Sequence, residues 1–180
     1  MPLVASRSVP AALVAALLVS LTTGCSGDDD DYDTSTVQCN ALAPSQIVPV
    51  TVEYGGTPLP GTGGAIPEGS YVLTAMTAYV PQSSTVLPRC NGFADALVLS
   101  NGTFDHAVVC YFEAENPQTV LGRGNYAGSY SLSETELSFD YQCPGPKVET
   151  FAYSAEPPNL RMLVPDSTNA LTTELVWTLE

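Results

Sequence analysis

From residue 70 onward, short runs of alternating apolar and polar residues recur along the chain. Gly, Asn, Pro and Ser separate these runs, a pattern typical of β-strands in barrels and sandwiches. No segment of comparable length shows the 3.6-residue apolar period of a helix. The pattern predicts eight strands, at residues 70–80, 94–100, 103–113, 125–132, 135–142, 147–154, 159–164 and 171–179.

The region before residue 70 predicts one further strand and a long loop. Residues 47–54 are rich in β-branched side chains, and Pro49 within them favours an edge position because proline cannot donate to a ladder. Residues 55–69 contain six glycines and three prolines and are typical of a loop. Farther on, Asn101-Gly102 is the strongest short hairpin signal, because both turn positions need a positive φ.

Alternation also assigns the faces of the later strands. Leu137, Phe139 and Tyr141 fall on one face, whereas Ser138 and Asp140 fall on the other. One buried and one solvent-facing side per strand is the pattern typical of antiparallel sheets. Eight strands joined by short turns predict an all-β fold, an up-and-down antiparallel barrel that removes exposed edges. A two-sheet β-sandwich is the alternative.

The order of the runs, opened by Gly69-Ser70-Tyr71, resembles that of the lipocalin-like (calycin) barrels. The resemblance covers residues 69–180 and rests on the strand pattern. The Gly-x-Trp motif of lipocalins is absent, and the one tryptophan, Trp177, lies near the far end. The resemblance therefore implies a barrel and transfers no functional residue.

The beginning of the chain predicts export. Arg7 is followed by an apolar run at residues 9–21, too short for a membrane span and typical of a secretory signal. Leu21-Thr22-Thr23-Gly24-Cys25 resembles the lipobox of bacterial lipoproteins. This resemblance implies cleavage before Cys25, lipidation of its thiol and a membrane anchor, and Ser26 implies sorting to the outer membrane. The alternative is an ordinary secretory signal followed by a spare cysteine.

These features divide the chain into three parts: a signal peptide at 1–24, the lipidated Cys25 with a flexible acidic tether at 25–38, and a single β domain at 39–180. The acidic run Asp28–Asp31 favours a solvated segment. Calcium binding is the weaker interpretation, because the alternating aspartates, central glycine and distal glutamate of an EF-hand loop are absent.

Four cysteines follow Cys25, namely Cys39, Cys90, Cys110 and Cys143. An even number in an exported chain predicts two disulfides, whereas zinc would require closer spacing. The Asn101-Gly102 turn places Phe93 opposite Cys110, so Cys90 reaches Cys110 only if the chain folds back at residues 91–92. Of the three pairings, we favour Cys90–Cys110 with Cys39–Cys143.

Charge and motifs favour a non-catalytic protein. The formal net charge of −14 predicts repulsion of nucleic acid and anionic lipid head groups. His106 is the one histidine, and Asp105 points to the opposite face of the strand and cannot orient it as in a triad. Acidic pairs such as Glu134 and Glu136 share their residue type with glycosidase carboxylates. They lie near predicted strand ends and turns, where charged side chains normally face water. We expect no enzyme activity, cofactor or metal.

Aromatic side chains predicted to face inward suggest a ligand inside the barrel. Eight-stranded barrels either fill with side chains or hold one small ligand, and a buried tyrosine hydroxyl needs a hydrogen-bond partner. We therefore expect an apolar or amphipathic ligand, or alternatively a filled core and an envelope role in structure or protein interaction. The candidate ligand-lining residues are Tyr71, Tyr79, Tyr126, Tyr130, Tyr141, Tyr153, Met162 and Trp177.

Overall fold

The computed structural model of the protein describes residues 37–85, 88, 90–113, 116–167 and 170–180, with the backbone alone at 116–118. The predicted signal peptide, Cys25 and the tether up to residue 36 lie outside these residues. Nine strands are present in the described part: β1 (Val48–Tyr54), β2 (Gly69–Val80), β3 (Gly92–Ser100), β4 (Thr103–Glu113), β5 (Asn116–Leu132), β6 (Glu136–Cys143), β7 (Lys147–Glu156), β8 (Asn159–Asp166) and β9 (Leu171–Leu179).

Eight of these strands, β2 to β9, form a closed antiparallel barrel. Each strand pairs with the next one along the chain, and β9 returns to pair with β2 from Tyr71↔Leu179 to Tyr79↔Thr172. The closure confirms the predicted up-and-down barrel over the two-sheet sandwich. It also satisfies the backbone groups that an open sheet would expose at its edges.

The ninth strand, β1, is inserted between β2 and β3 and makes the sheet mixed. β3 pairs with β2 only up to Val72. Beyond that point β1 runs parallel to β2 and pairs with residues 76–80. Its first residues pair antiparallel with β3, where Pro49 lies opposite Gly92. A parallel return requires a long connection, and residues 55–68 supply it.

The strand predicted at residues 125–132 is longer in the structure, because β5 begins at Asn116. Gly122 and Gly124 argue against a strand in the sequence, since glycine weakens strand interiors. The ring of Tyr126 lies where a Cβ on Gly124 would be. The Tyr126 ring thus packs over Gly124, which has no side chain of its own.

The interior of the barrel is filled by apolar and aromatic side chains. Leu137, Phe139 and Tyr141 on β6 are all buried, as their alternation predicts. Trp177 and Leu73 pair across the closing strands and are 1% and 0% exposed. The largest fully buried side chains are Trp177, Tyr71, Leu73, Leu99, Leu137, Leu160, Val80 and Cys110.

Both predicted disulfides are present, which confirms the favoured pairing. Cys39–Cys143 has a Cα–Cα distance of 5.7 Å and joins the segment before β1 to the end of β6. Cys90–Cys110 has a Cα–Cα distance of 5.6 Å. The chain folds back before β3 as required, with the Asn91 amide donating to the carbonyl of Tyr111 at 3.0 Å. Disulfides of this kind fit an oxidising environment such as that of exported proteins.

The segment between Cys39 and β1 crosses the outer wall of the barrel. The backbone amides of Cys39 and Asn40 both donate to Oδ1 of Asn125 on β5, at 2.6 and 2.8 Å. Ile47 packs on a small apolar cluster that includes Ala94 and Val109. These contacts fix the path of the chain from the first disulfide to β1.

The connection at residues 55–68, hereafter the wrapping loop, passes over Arg161 on the outside of the barrel and then runs alongside β7. The Gly63 amide donates to the carbonyl of Tyr153 at 2.8 Å, and the Gly63 carbonyl accepts from Ala155 at 2.9 Å. Farther along the loop, Ile66 packs against the main core. Gly63 has a φ of +72°, and a Cβ there would collide with the carbonyl of Glu134, so this close approach requires glycine.

Candidate functional site

Most of the candidate ligand-lining residues belong to the packed core. The buried members are Tyr71, Tyr141, Tyr153, Met162 and Trp177, and the partly buried members packed against them are Tyr126 and Tyr130. Tyr79 lies between the buried Ala78 and Val80 and therefore on the outer face of β2, where its charged neighbours include Glu174 and Glu53. The structure thus brings seven of the eight residues together.

Two of the buried tyrosine hydroxyls have partners in the wrapping loop. Tyr71 donates to the carbonyl of Pro67 at 2.6 Å, and Tyr153 donates to the carbonyl of Gly64 at 2.8 Å. The hydrogen bonds that a ligand would otherwise supply at these two hydroxyls are therefore made by the chain itself. Together they attach the wrapping loop to the barrel interior.

Asp95 is a buried carboxylate at the centre of a polar network, and its role is not predicted from the sequence. Its Oδ1 accepts a hydrogen bond from Nε1 of Trp177, and its Oδ2 lies near Nε2 of His106, both at 2.9 Å. The Asp95 side chain is 4% exposed and that of His106 is 19% exposed. The sequence does carry one indication that Asp95 is buried. It lies two residues from each of the inward-facing Phe93 and Leu97, so it falls on the same face of β3.

Asp95, and not the neighbouring Asp105, is therefore the partner of His106. Burial by itself lowers the pKa of His106, but the charge and hydrogen bond of Asp95, with a contribution from Glu149, outweigh it. The pKa of His106 is raised from its usual 6.5. The raised pKa favours an imidazolium that neutralises the buried carboxylate.

A second polar contact borders this network. Glu149 is a charged neighbour of Tyr141, and Nζ of Lys147 lies 2.6 Å from Oε1 of Glu149. Burial, followed by the charge of Glu149, raises the pKa of Tyr141. The ring of Tyr126 lies between the two contacts, with centroids 5.7 Å from His106 and 5.5 Å from Tyr141. Tyr141 therefore keeps its proton within an aromatic cluster.

A groove lies on the outer wall of the barrel, beneath the wrapping loop. It has a volume of about 480 Å³. Three lining residues come from the wrapping loop and the others from β7, β8 and β9. They are Leu59, Pro60, Thr62, Ser154, Glu156, Asn159, Arg161 and Val176.

Arg161 lines the groove and holds the wrapping loop in place. Its Nη1 donates to the carbonyl of Leu59 at 2.8 Å, and its Nη2 donates to that of Pro60 at 2.7 Å. Nη2 also donates to Oγ of Ser154 at 3.0 Å, while Nη1 lies 3.1 Å from Oε2 of Glu174. The guanidinium thus has four partners within the protein, and its charge is offset by Glu174.

Within the described residues, no cluster of three or more His, Cys, Asp or Glu side chains is placed to hold a metal ion. Among the same residues, no helix has the length and apolar character needed to cross a membrane.

Comparison with protein-family models, with curated proteins and with solved structures finds no match for this chain.

Proposed function

We propose that the protein is an exported, non-catalytic lipoprotein of the cell envelope that acts through the outer surface of a filled barrel. The lipobox-like sequence ending at Cys25 supports a lipid anchor at the outer membrane. The two disulfides support an oxidising compartment. The net charge of −14 supports contact with the membrane through the lipid and not through the protein surface.

The occupied interior is the observation that carries the surface role. Trp177 and Tyr71 are 1% and 2% exposed, and the Tyr71 hydroxyl is already bonded to Pro67. A ligand at the centre of the barrel would have to displace such side chains and break these bonds. A structural or interaction role at the surface requires no such rearrangement.

Native mass spectrometry of the purified mature protein tests the filled interior. We expect the native mass to equal the mass of the lipidated chain less four hydrogens for the two disulfides. Extra mass that disappears on denaturation would show a small ligand within the barrel and would overturn the surface role.

The anchor is tested separately by metabolic labelling with an alkyne fatty acid in a bacterial host. We expect label on the wild-type protein and none on Cys25→Ala, which should leave the membrane fraction. Equal labelling of both proteins, or no labelling of either, would contradict lipidation at Cys25.

A further inference from the structure

The groove beneath the wrapping loop combines an apolar wall with a carboxylate. Leu59 and Val176 line its apolar side, and the Leu59 side chain is 73% exposed. Glu156 also lines the groove and forms no ion pair with any residue in the described part of the chain. The groove therefore presents negative charge beside apolar surface.

Arg161 does not cancel this charge, although it lines the same groove. Its guanidinium is paired with Glu174 and is further occupied by the carbonyls of Leu59 and Pro60. An incoming anion would have to compete with four existing contacts. A cation, in contrast, meets the Glu156 carboxylate without breaking any contact described above.

Lysine and arginine side chains match both parts of this surface. Each carries an apolar stem and a charged head, so the stem packs on apolar surface while the head reaches a carboxylate. The volume of about 480 Å³ lies within the range of about 300–1,000 Å³ found for ligand pockets. The net charge of −14 also attracts basic partners over a longer range.

We propose that this groove binds a lysine or arginine side chain from an extended basic segment of a partner protein. The stem lies against Leu59 and Val176, and the cationic head pairs with Glu156. This proposal rests on the surface role proposed above and names the chemistry of the partner. The attachment of the wrapping loop to Arg161 and Tyr153 forms the groove before the partner arrives.

The first test compares two exposed carboxylates in the mature protein, Glu156 in the groove and Glu136 outside it. Calorimetry measures binding of a six-residue oligolysine peptide at physiological salt. We expect Glu156→Gln to weaken binding about five-fold, the upper end of the range for one exposed ion pair, and Glu136→Gln to change it less than two-fold. Equal weakening by both variants would show binding by general charge and would overturn the groove proposal.

The second test removes the apolar wall and keeps the charge. We expect Leu59→Ala to weaken peptide binding about three-fold, because the lysine stem loses contact area. Val148→Ala serves as the control, since Val148 is 67% exposed and does not line the groove. An unchanged affinity for Leu59→Ala would contradict the proposed position of the stem.

Two further outcomes separate this proposal from its alternatives. Spermidine that binds as tightly as the peptide would assign the groove to a free polyamine and overturn docking of a partner protein. A peptide that shows no binding also overturns the groove proposal but leaves the surface role in place. A ligand found inside the barrel by native mass spectrometry would overturn the surface role instead.

Discussion

At the scale of single residues, Asp95 sets the most demanding condition on the fold. A carboxylate that is 4% exposed is costly to bury unless it is paired and hydrogen-bonded. Trp177 and His106 meet this condition from β9 and β4, on opposite sides of β3 around the barrel. The ion pair between Asp95 and His106 therefore contributes stability only while His106 carries its proton.

This coupling predicts that stability depends on the protonation of His106. Because the pKa of His106 is raised above 6.5 in the folded protein, its contribution is fully present below pH 6.5 and is lost as the pH rises through the folded-state pKa. We expect the free energy of unfolding in urea to fall as the pH rises from 6.5 through the folded-state pKa of His106. His106→Leu should remove that part of the pH dependence and cost about 3 kcal/mol at pH 6.

Asp105→Asn is the matched control for this measurement, because Asp105 is adjacent in sequence but is not the ion-pair partner of His106. It should retain the pH dependence of the wild-type protein. A wild-type stability that stays constant or rises over the same window would contradict the proposed protonation of His106.

At the scale of elements, the wrapping loop is attached at a position where only glycine fits. Gly63 combines a φ of +72° with close approach to the carbonyl of Glu134. Its two backbone hydrogen bonds to β7 extend the edge of that strand where its pairing with β6 has ended. The loop is therefore bonded like a short additional strand.

Substitution of Gly63 should consequently detach the loop. We expect Gly63→Ala to lower the free energy of unfolding by about 1–3 kcal/mol, from backbone strain and the clash with Glu134, and to expose the loop to proteolysis. Gly145→Ala is the control, because a Cβ at Gly145 would meet nothing within 4 Å. It should change stability by less than about 0.5 kcal/mol. Equal protease sensitivity of the two variants would refute this role for Gly63.

At the scale of the whole molecule, the Cys39–Cys143 disulfide joins residues 104 positions apart and ties the N-terminal segment to the barrel. Its cysteines are half-buried, whereas Cys90 and Cys110 lie in the core. Loss of Cys39–Cys143 therefore acts mainly through the entropy of the unfolded chain, with little loss of packing.

Replacing both Cys39 and Cys143 by serine should lower the free energy of unfolding by about 4–5 kcal/mol, as expected for a loop of about 100 residues. Denaturation in guanidinium chloride measures this difference. Full reduction of the wild-type protein should cost at least as much, because it also breaks Cys90–Cys110. A loss below about 1 kcal/mol would contradict the entropic account.

Local patterns in the sequence predict the barrel but not all of its strand pairings. Period-two alternation and Asn101-Gly102 predict eight strands and the register Phe93↔Cys110, because both signals are short-range. The insertion of β1 depends on where β2 and β3 separate, and the early part of β5 depends on its pairing with β4 as far as Glu113↔Asn116. Such features arise from contacts between distant segments, which local patterns do not encode.

The candidate sites are less predictable for the same reason. Cysteine count and turn register predict both disulfides, since pairing is limited to three choices. Asp95 appears in the sequence as an acidic residue in an apolar run, and its partners come from two other strands. The groove requires the wrapping loop to lie across Arg161, and no spacing along the chain predicts that position.

The position of Cys39 has a mechanical consequence. Tension applied to the chain ahead of Cys39 enters the barrel through the disulfide to Cys143 at the end of β6. The segment from Asn40 to β1 then bears little of that load, because the covalent crosslink precedes it along the chain. A pull on the N-terminal side therefore moves the barrel as a body instead of peeling β1 away from β2. The Cys39–Cys143 disulfide therefore protects the pairing of β1 with β2 from force applied to the chain ahead of Cys39.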